Sequence, residues 1–166
     1  DKGYQLVVVN TRSSHDDLTD EYASIREEMQ QVAAYFGEKT LRGVRPEQVF
    51  QHMADISSKL SERAVLRAMH FFFENERVKK QVDALQNDDL DAFFAAVNAS
   101  GKSSWTLLQN IYPGGSTSQP MALALAVAEI LLQGKGAFRV HGGGFAGTTL
   151  NFVPTEETAE FVKRME

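Results

Sequence analysis

The stretch Ala137-Phe138-Arg139-Val140-His141-Gly142-Gly143-Gly144-Phe145-Ala146-Gly147-Thr148-Thr149-Leu150-Asn151-Phe152-Val153 decides how this chain folds. Two short runs rich in β-branched and aromatic residues, Ala137 to His141 and Thr148 to Val153, flank a turn that holds Gly142, Gly143, Gly144 and Gly147. That arrangement predicts a β-hairpin. Four glycines within six residues carry a large conformational entropy cost on folding, so the turn needs positive φ angles or something that approaches the backbone closely. A run of bare amides there can form a concave nest of N–H donors, which suits a phosphate without any charged side chain. Whether these glycines serve an anion or only a hairpin turn that needs glycine is the question that decides the function.

Working outward, Tyr4 to Asn10 reads as a largely buried strand. Leu18, Tyr22, Ile25, Met29, Val32 and Phe36 recur at the spacing of an amphipathic helix, which Gly37 terminates. Pro46 suits the first turn of a shorter helix carrying Val49, Phe50 and Met53. Ser57 or Ser61 caps the next, whose apolar side runs through Val65, Met69, Phe72 and Phe73 and less regularly through Val78, Val82 and Leu85. Asn87-Asp88 ends that helix and caps another, with Leu90, Phe93, Phe94 and Val97 inward. Trp105, expected as core, closes the segment with Leu107 and Leu108, before a loop from Tyr112 to Ser116. Met121 to Leu132 reads as a buried helix ended by Gly134. Thr155 caps the last one, with acids in its first turn.

This pattern predicts an α+β sandwich, a small antiparallel sheet with helices packed on one face. Only three strands can be counted, and a fourth is expected past Glu166; with an opening Asp1-Lys2-Gly3 that lacks an initiator Met, the chain is expected to be truncated at both ends. The 166 residues are 43% hydrophobic and 23% charged, which suits a single soluble globular domain, 1–166. A formal charge of −5 and a densest cationic cluster of only Arg77, Lys79 and Lys80 argue against nucleic acid. The absence of cysteine fits a cytoplasmic protein. The most apolar stretch, with Glu129 inside it, falls well short of the ~20 residues that span a bilayer, so no membrane partner is expected.

Several motifs fail on inspection. Gly101-Lys102-Ser103 resembles the end of a phosphate-binding P-loop, but Ala96 stands where that motif requires glycine. His15, His52, His70 and His141 lack metal-ligand spacing, so no metal site is expected. Asn98-Ala99-Ser100 matches a glycosylation acceptor but falls in a helix. No nucleophile elbow or nucleophile–base pair shows itself, so no catalytic residue is assigned within this chain.

His141 to Thr148 resembles the third motif of the GHMP small-molecule kinases in its galactokinase form, T-G-G-G-F-G-G-C, and Gly136 to Val140 resembles the G-x-x-R-M that leads into it. Tyr4 to Asn10 followed by His15 is similar to the family's strand ending in asparagine and then histidine. Asp20 to Arg26 resembles S-x-Y-x-x-R-R. Ala34-Tyr35-Phe36-Gly37, Leu41 to Val44, Arg67-Ala68-Met69-His70, Glu74 to Val78 and Asn87 to Leu90 resemble A-x-x-L/F-G, S-L-R-D-V, R-A-x-H, E-N-x-R-V and N-G-D-L in order. The departures lie between Ser100 and Pro120, where S-H-x-S-L and the acidic P-E-L-D are absent, and in the turn, where His141, Ala146 and Thr148 replace threonine, glycine and cysteine. The added Cβ of Ala146 is tolerable if its φ is negative and strained otherwise.

The resemblance implies the C-terminal, ferredoxin-like domain of a kinase that moves the γ-phosphoryl of ATP to the anomeric hydroxyl of a hexose, galactose. The family's sugar segment, ATP loop and catalytic Asp and Arg lie outside this chain. ATP and Mg²⁺ would be bound mainly by an N-terminal GHMP kinase domain of the same polypeptide, and this chain alone would be inactive. Gly142, Gly143, Gly144, Phe145, Gly147 and Arg139 are the implied phosphate or cleft loop, and Tyr22 is the sugar-binding candidate. The alternatives are a kinase for a different sugar, a non-catalytic sensor of sugar and ATP, and a standalone regulatory domain.

Overall fold

The computed structural model describes residues 2–13 and 18–166. They run β1 (Tyr4–Asn10), α1 (Thr19–Tyr35), α2 (Pro46–Gln51), α3 (Met53–Lys59), α4 (Glu62–Gln86), α5 (Leu90–Ser103), α6 (Pro120–Leu132), β2 (Ala137–His141), β3 (Thr148–Pro154) and α7 (Thr158–Met165). The class is α+β, a three-stranded antiparallel sheet in the order β1-β3-β2 against a largely helical layer. Register is set by pairs such as Val9↔Thr149 and Val140↔Thr149.

Side chains alternate across a strand, so each face of the sheet needs its own partner. Phe138 and Val140 pack with Met121 and Leu125 of α6, and Val153, Val7 and Val9 pack with Phe161 of α7. On the opposite face Ala137 packs with Phe94 and Val97 of α5. Helices therefore lie on both faces of the sheet, where the sequence had suggested one. The chain order explains it, because α6 enters β2 and α7 leaves β3 on the side away from α5.

Some expected burial is not realised. Leu6 and Val8 of β1 are 58% and 50% exposed, because β1 is an edge strand and α5 reaches mainly across β2. The strand is half-buried. In α4 the cluster shared with α1 ends at Phe72, leaving Phe73, Val78, Val82 and Leu85 exposed, and Leu123 and Ile130 of α6 face outward too. Val32, Val49 and Ile56, by contrast, are completely buried between α1, α2, α3 and α4, each worth roughly 1.5–3 kcal/mol.

Capping shows which local signals acted. Ser61, not Ser57, caps α4 by accepting the Ala64 N–H at 3.0 Å. Asp89, one residue past the expected Asn87-Asp88 cap, accepts the Ala92 N–H at 2.9 Å. His52 divides the helix expected after Pro46 into α2 and α3. Thr155 begins a 3₁₀ turn, and no side chain caps α7.

The hairpin is clamped to the helical layer by polar contacts. Asn98 of α5 donates to Gly136 O at 3.2 Å and accepts the Phe138 N–H at 3.0 Å, so the amide in the glycosylation-like triplet is already engaged. Deeper in, Arg139 donates to Ser100 Oγ at 2.6 Å, the Ser100 hydroxyl donates to Glu74, and Arg77 pairs with Glu74 at 2.8 Å. Burial pushes the Glu74 carboxyl up, but the bonds from Ser100 and Arg77 and the charges of Arg77 and Arg139 outweigh it and hold it below the usual range. His70 lies buried beside them, its Nδ1 2.9 Å from Ser103 Oγ, and burial is the leading cause that lowers its pKa.

A pH prediction follows from the two signs. An imidazole held below its ordinary 6.5 leaves the unfolded chain binding more protons just under that pH. Its share of stability is complete above about 6.5 and declines as pH falls towards the folded value. Glu74 acts in a separate window, below its ordinary 4.5. Urea unfolding between pH 7 and 5 should show a loss no steeper than about 1.4 kcal/mol per pH unit from this one group. His70→Gln should flatten it, and an unchanged slope would assign the loss elsewhere.

Candidate functional site

The turn between β2 and β3 is wedged between α1 and the segment that follows α5. Tyr22, one turn into α1, donates its hydroxyl to Gly144 O at 2.7 Å and meets the Phe145 ring edge-on, centroids 5.2 Å apart. A Cβ on Gly143 would stand 2.8 Å from Tyr22 Cε1, so glycine is what lets the tyrosine lie against the backbone. On the other side Asn110 Nδ2 donates to Gly143 O at 2.9 Å, and Asn110 O accepts the Phe145 N–H at 2.5 Å. Gly144, at φ +85°, has no room for a Cβ, because the Asn110 carbonyl already occupies that space. Burial raises the pKa of the Tyr22 phenol, keeping it a proton donor at neutral pH.

Tyr22 and the turn residues Gly142, Gly143, Gly144, Phe145 and Gly147 are thus brought into one cluster. Arg139 is not. It faces α5, where Ser100 and Glu74 hold its guanidinium. The amide nest is narrower than expected as well. Phe145 N–H goes to Asn110, Ala146 N–H to Gly144 O at 2.6 Å, and Gly147 N–H to Ser13 Oγ at 3.1 Å. The exposed amides without a partner among the described residues are those of Gly142 and Gly143.

Strain sits at an unexpected position. The Ala146-to-Gly144 bond closes a three-residue turn around Phe145, whose φ of +58° is costly for a residue with a side chain. Ala146 itself is not in the left-handed region, so its extra Cβ is tolerated. Packing of Phe145 with Leu18, Tyr22, Ile25 and Ala146 offsets the strain. His141 points outward, its Nδ1 3.0 Å from Thr148 Oγ1 across the hairpin. His15 lies outside the described residues.

Asn110 was not picked out by sequence reading, and it is the residue that fixes the turn from below. A single π-helical turn, Ser104–Leu108, continues α5 and ends at Gln109 in the left-handed region, φ +58°. That reversal aims Asn110 at the glycines. Nothing in a lone Asn within a rebuilt segment announces it, since left-handed glutamine is not a pattern that composition reveals. Trp105, expected as core, is only half-buried, packing beside Ile111 and Met121.

Beneath the turn, Arg67 of α4 is 2% exposed. It donates Nε to Leu108 O at 3.1 Å and Nη1 to Ser24 Oγ at 3.0 Å and Glu28 Oε2 at 2.9 Å. Arg63 takes the other Glu28 oxygen at 2.6 Å. Burial lowers the pKa of Arg67, and the neighbouring carboxylate opposes that shift. The pair ties α1, α4 and the segment carrying Asn110 into one unit. Among the described residues there is no group of three or more His, Asp or Glu side chains that could hold a metal ion, and no helix is long and apolar enough to cross a membrane.

No family model matches the chain. Among curated proteins, a galactokinase of Glaesserella parasuis is 32% identical over 156 residues, 94% of this chain and 39% of that protein. A galactokinase of Actinobacillus pleuropneumoniae is 31% identical over 166 residues, 98% of this chain and 40% of that protein. Among solved structures, the galactokinase of Lactococcus lactis in complex with galactose has the same fold, with a TM-score of 0.73, at 22% identity over 98% of this chain and 40% of that one. The similarity to galactokinases runs over nearly the whole of this chain, which spans about 40% of the length of the curated relatives it matches.

Proposed function

We propose that this chain is the C-terminal domain of a galactokinase-type sugar kinase, which phosphorylates the anomeric hydroxyl of a hexose, galactose, once an N-terminal domain completes the cleft. The observation that carries this reading is the meeting of Tyr22 with the turn. The tyrosine that the family resemblance offers for sugar binding is hydrogen-bonded to Gly144 O, beside the exposed amides of Gly142 and Gly143. A hydroxyl and two main-chain donors fixed side by side suit a polar substrate next to a phosphate. ATP with Mg²⁺, held mainly by the other domain, would supply the phosphoryl group and the charge neutralisation. This chain's part is positioning: Asn110 and Tyr22 hold the turn from two sides, and a displacement of about 1 Å at such a site can cost about 10²-fold in rate. Alone, the chain is inactive.

The test is a chimaera in which this chain replaces the matching part of the Glaesserella parasuis galactokinase. ATP-dependent phosphorylation of galactose is expected, with N-acetylgalactosamine, glucose and arabinose assayed beside it because the segment from Tyr112 to Pro120 departs from the family pattern. In that chimaera Gly143→Val, which displaces Tyr22, should lower kcat/KM by about 10²-fold while shifting Tm by only a few degrees. A folded chimaera that binds galactose and ATP without turnover would replace the kinase reading by the sensor. Equal damage to turnover and to Tm would reduce the turn to a structural hairpin.

A further inference from the structure

The sheet has two edges, and the fold covers one of them. On β2, Asn98 of α5 takes the outward Phe138 N–H and donates to Gly136 O, while Arg139 Nε donates to Val140 O at 2.9 Å. Gly101 brings the α5 backbone so near that a Cβ there would stand 3.0 Å from Phe138 O. On the outer edge of β1 no such cover is found among the described residues. The bonds from Thr11 N–H to Gly147 O and from Thr155 N–H to Gly3 O, both 2.9 Å, bracket the β1–β3 ladder, so its bonded pairs fall at the odd-numbered residues of β1. The N–H and C=O of Leu6 and Val8 therefore point away from the sheet, and these are also the residues whose side chains stand exposed. We propose that a second copy of this chain sets its β1 antiparallel along this edge, joining the two sheets into one.

The strand is complementary to itself. Tyr4 to Asn10 has no charge, no proline and no bulge in its register, the features by which natural edge strands refuse a partner. Pairing about Val7 sets Leu6 against Val8 of the second copy, and the outward main-chain groups of Tyr4, Leu6, Val8 and Asn10 all gain partners. On the other face an apolar groove of about 670 Å³ lies between β1, α6 and α7, with Val7, Val9, Leu123, Val127, Val162 and Met165 among its walls. There Val7 meets Val7 of the second copy and extends the apolar floor. Charge fixes the direction. Near the start of β1, Lys2 pairs with Asp88, and Asp89 and Asp91 line the same hollow. Past its end stands the exposed Arg12, with Arg164 and Glu166 in the groove wall. Antiparallel pairing brings each Arg12 to the acidic end of the other copy, whereas parallel pairing would bring acid to acid. Such a two-fold contact uses the same patch on both chains and closes on itself, and the covered β2 edges stop growth at a dimer.

Sedimentation equilibrium of the 166-residue chain between about 1 and 100 μM should show monomer and dimer in exchange. Leu6→Pro removes an outward N–H without touching the ladder to β3, and should weaken the dimer at least tenfold while leaving the circular dichroism unchanged. Leu6→Glu and Val8→Lys alter exposed side chains, so folding is spared, and each alone should also weaken it at least tenfold. Mixed together, these two variants should associate again, because the introduced carboxylate of one chain faces the introduced ammonium of the other while the remaining Leu6 and Val8 still meet. A chain monomeric throughout the range would overturn the proposal and leave the edge to the fourth strand expected from the sequence. A dimer that survives all three variants, or a mixture that fails to associate, would overturn it as well. No sugar, ATP or phosphoryl transfer enters the measurement, so failure of the kinase reading leaves its outcome unchanged.

Discussion

Arg67→Met is expected to lower the unfolding free energy by about 3 kcal/mol, the largest loss from any single side chain in this fold. The methionine matches much of the volume, so packing is not the main cost. What is lost is the guanidinium that joins Leu108 O, Ser24 Oγ and Glu28 Oε2 at 3.1, 3.0 and 2.9 Å from a position 2% exposed. The Glu28 carboxylate is left largely buried with Arg63 on one oxygen only. Removing one partner of a buried pair costs more than removing both, because the remaining charge stays desolvated. Adding Glu28→Gln to Arg67→Met should therefore recover part of the loss. Urea unfolding of the two singles and the double gives the coupling directly. A double variant no more stable than Arg67→Met alone would show that the carboxylate is well solvated and the pair unimportant.

Gly144→Ala is expected to cost about 3 kcal/mol, combining left-handed strain with a steric overlap. At φ +85° the added Cβ would fall on the Asn110 carbonyl oxygen, a backbone atom that already accepts the Phe145 N–H and cannot retreat without breaking that bond. Gly142→Ala is the matched control. It has nearly the same φ, +75°, but nothing lies within 4 Å of its Cβ, so only the backbone term applies, about 1 kcal/mol. Thermal unfolding should rank Gly144→Ala well below Gly142→Ala. Equal shifts would mean that Asn110 yields and does not constrain the turn. Asn110→Ala should not rescue Gly144→Ala, since the obstructing atom belongs to the main chain.

These two residues also mark how far a sequence reading reaches. Gly144 was picked out from composition, because four glycines in six residues are difficult to explain otherwise. Its actual constraint, the carbonyl of Asn110, arrives from 34 positions upstream through a π-helical turn and a left-handed Gln109. In the sequence Arg67 is only a letter in a motif, and its burial depends on two segments converging on it, α1 with Ser24 and Glu28 and the π-helical turn with Leu108. Arg139 shows the same limit. Alternation put it on the face away from Val140 but could not say that Glu74 and Ser100 would be waiting there.

By itself the sequence determined the elements and the resemblance to galactokinases: periodic apolar positions in the helices, the strand–turn–strand of the hairpin and its motif are all local patterns, legible because neighbours in the chain set them. Only the tertiary structure decided which residues share a site. The Tyr22 hydroxyl on Gly144, the Asn110 staple and the bonding of Arg139 to Ser100 and Glu74 each join segments far apart in the chain, and such contacts follow from packing in three dimensions that no local spacing encodes.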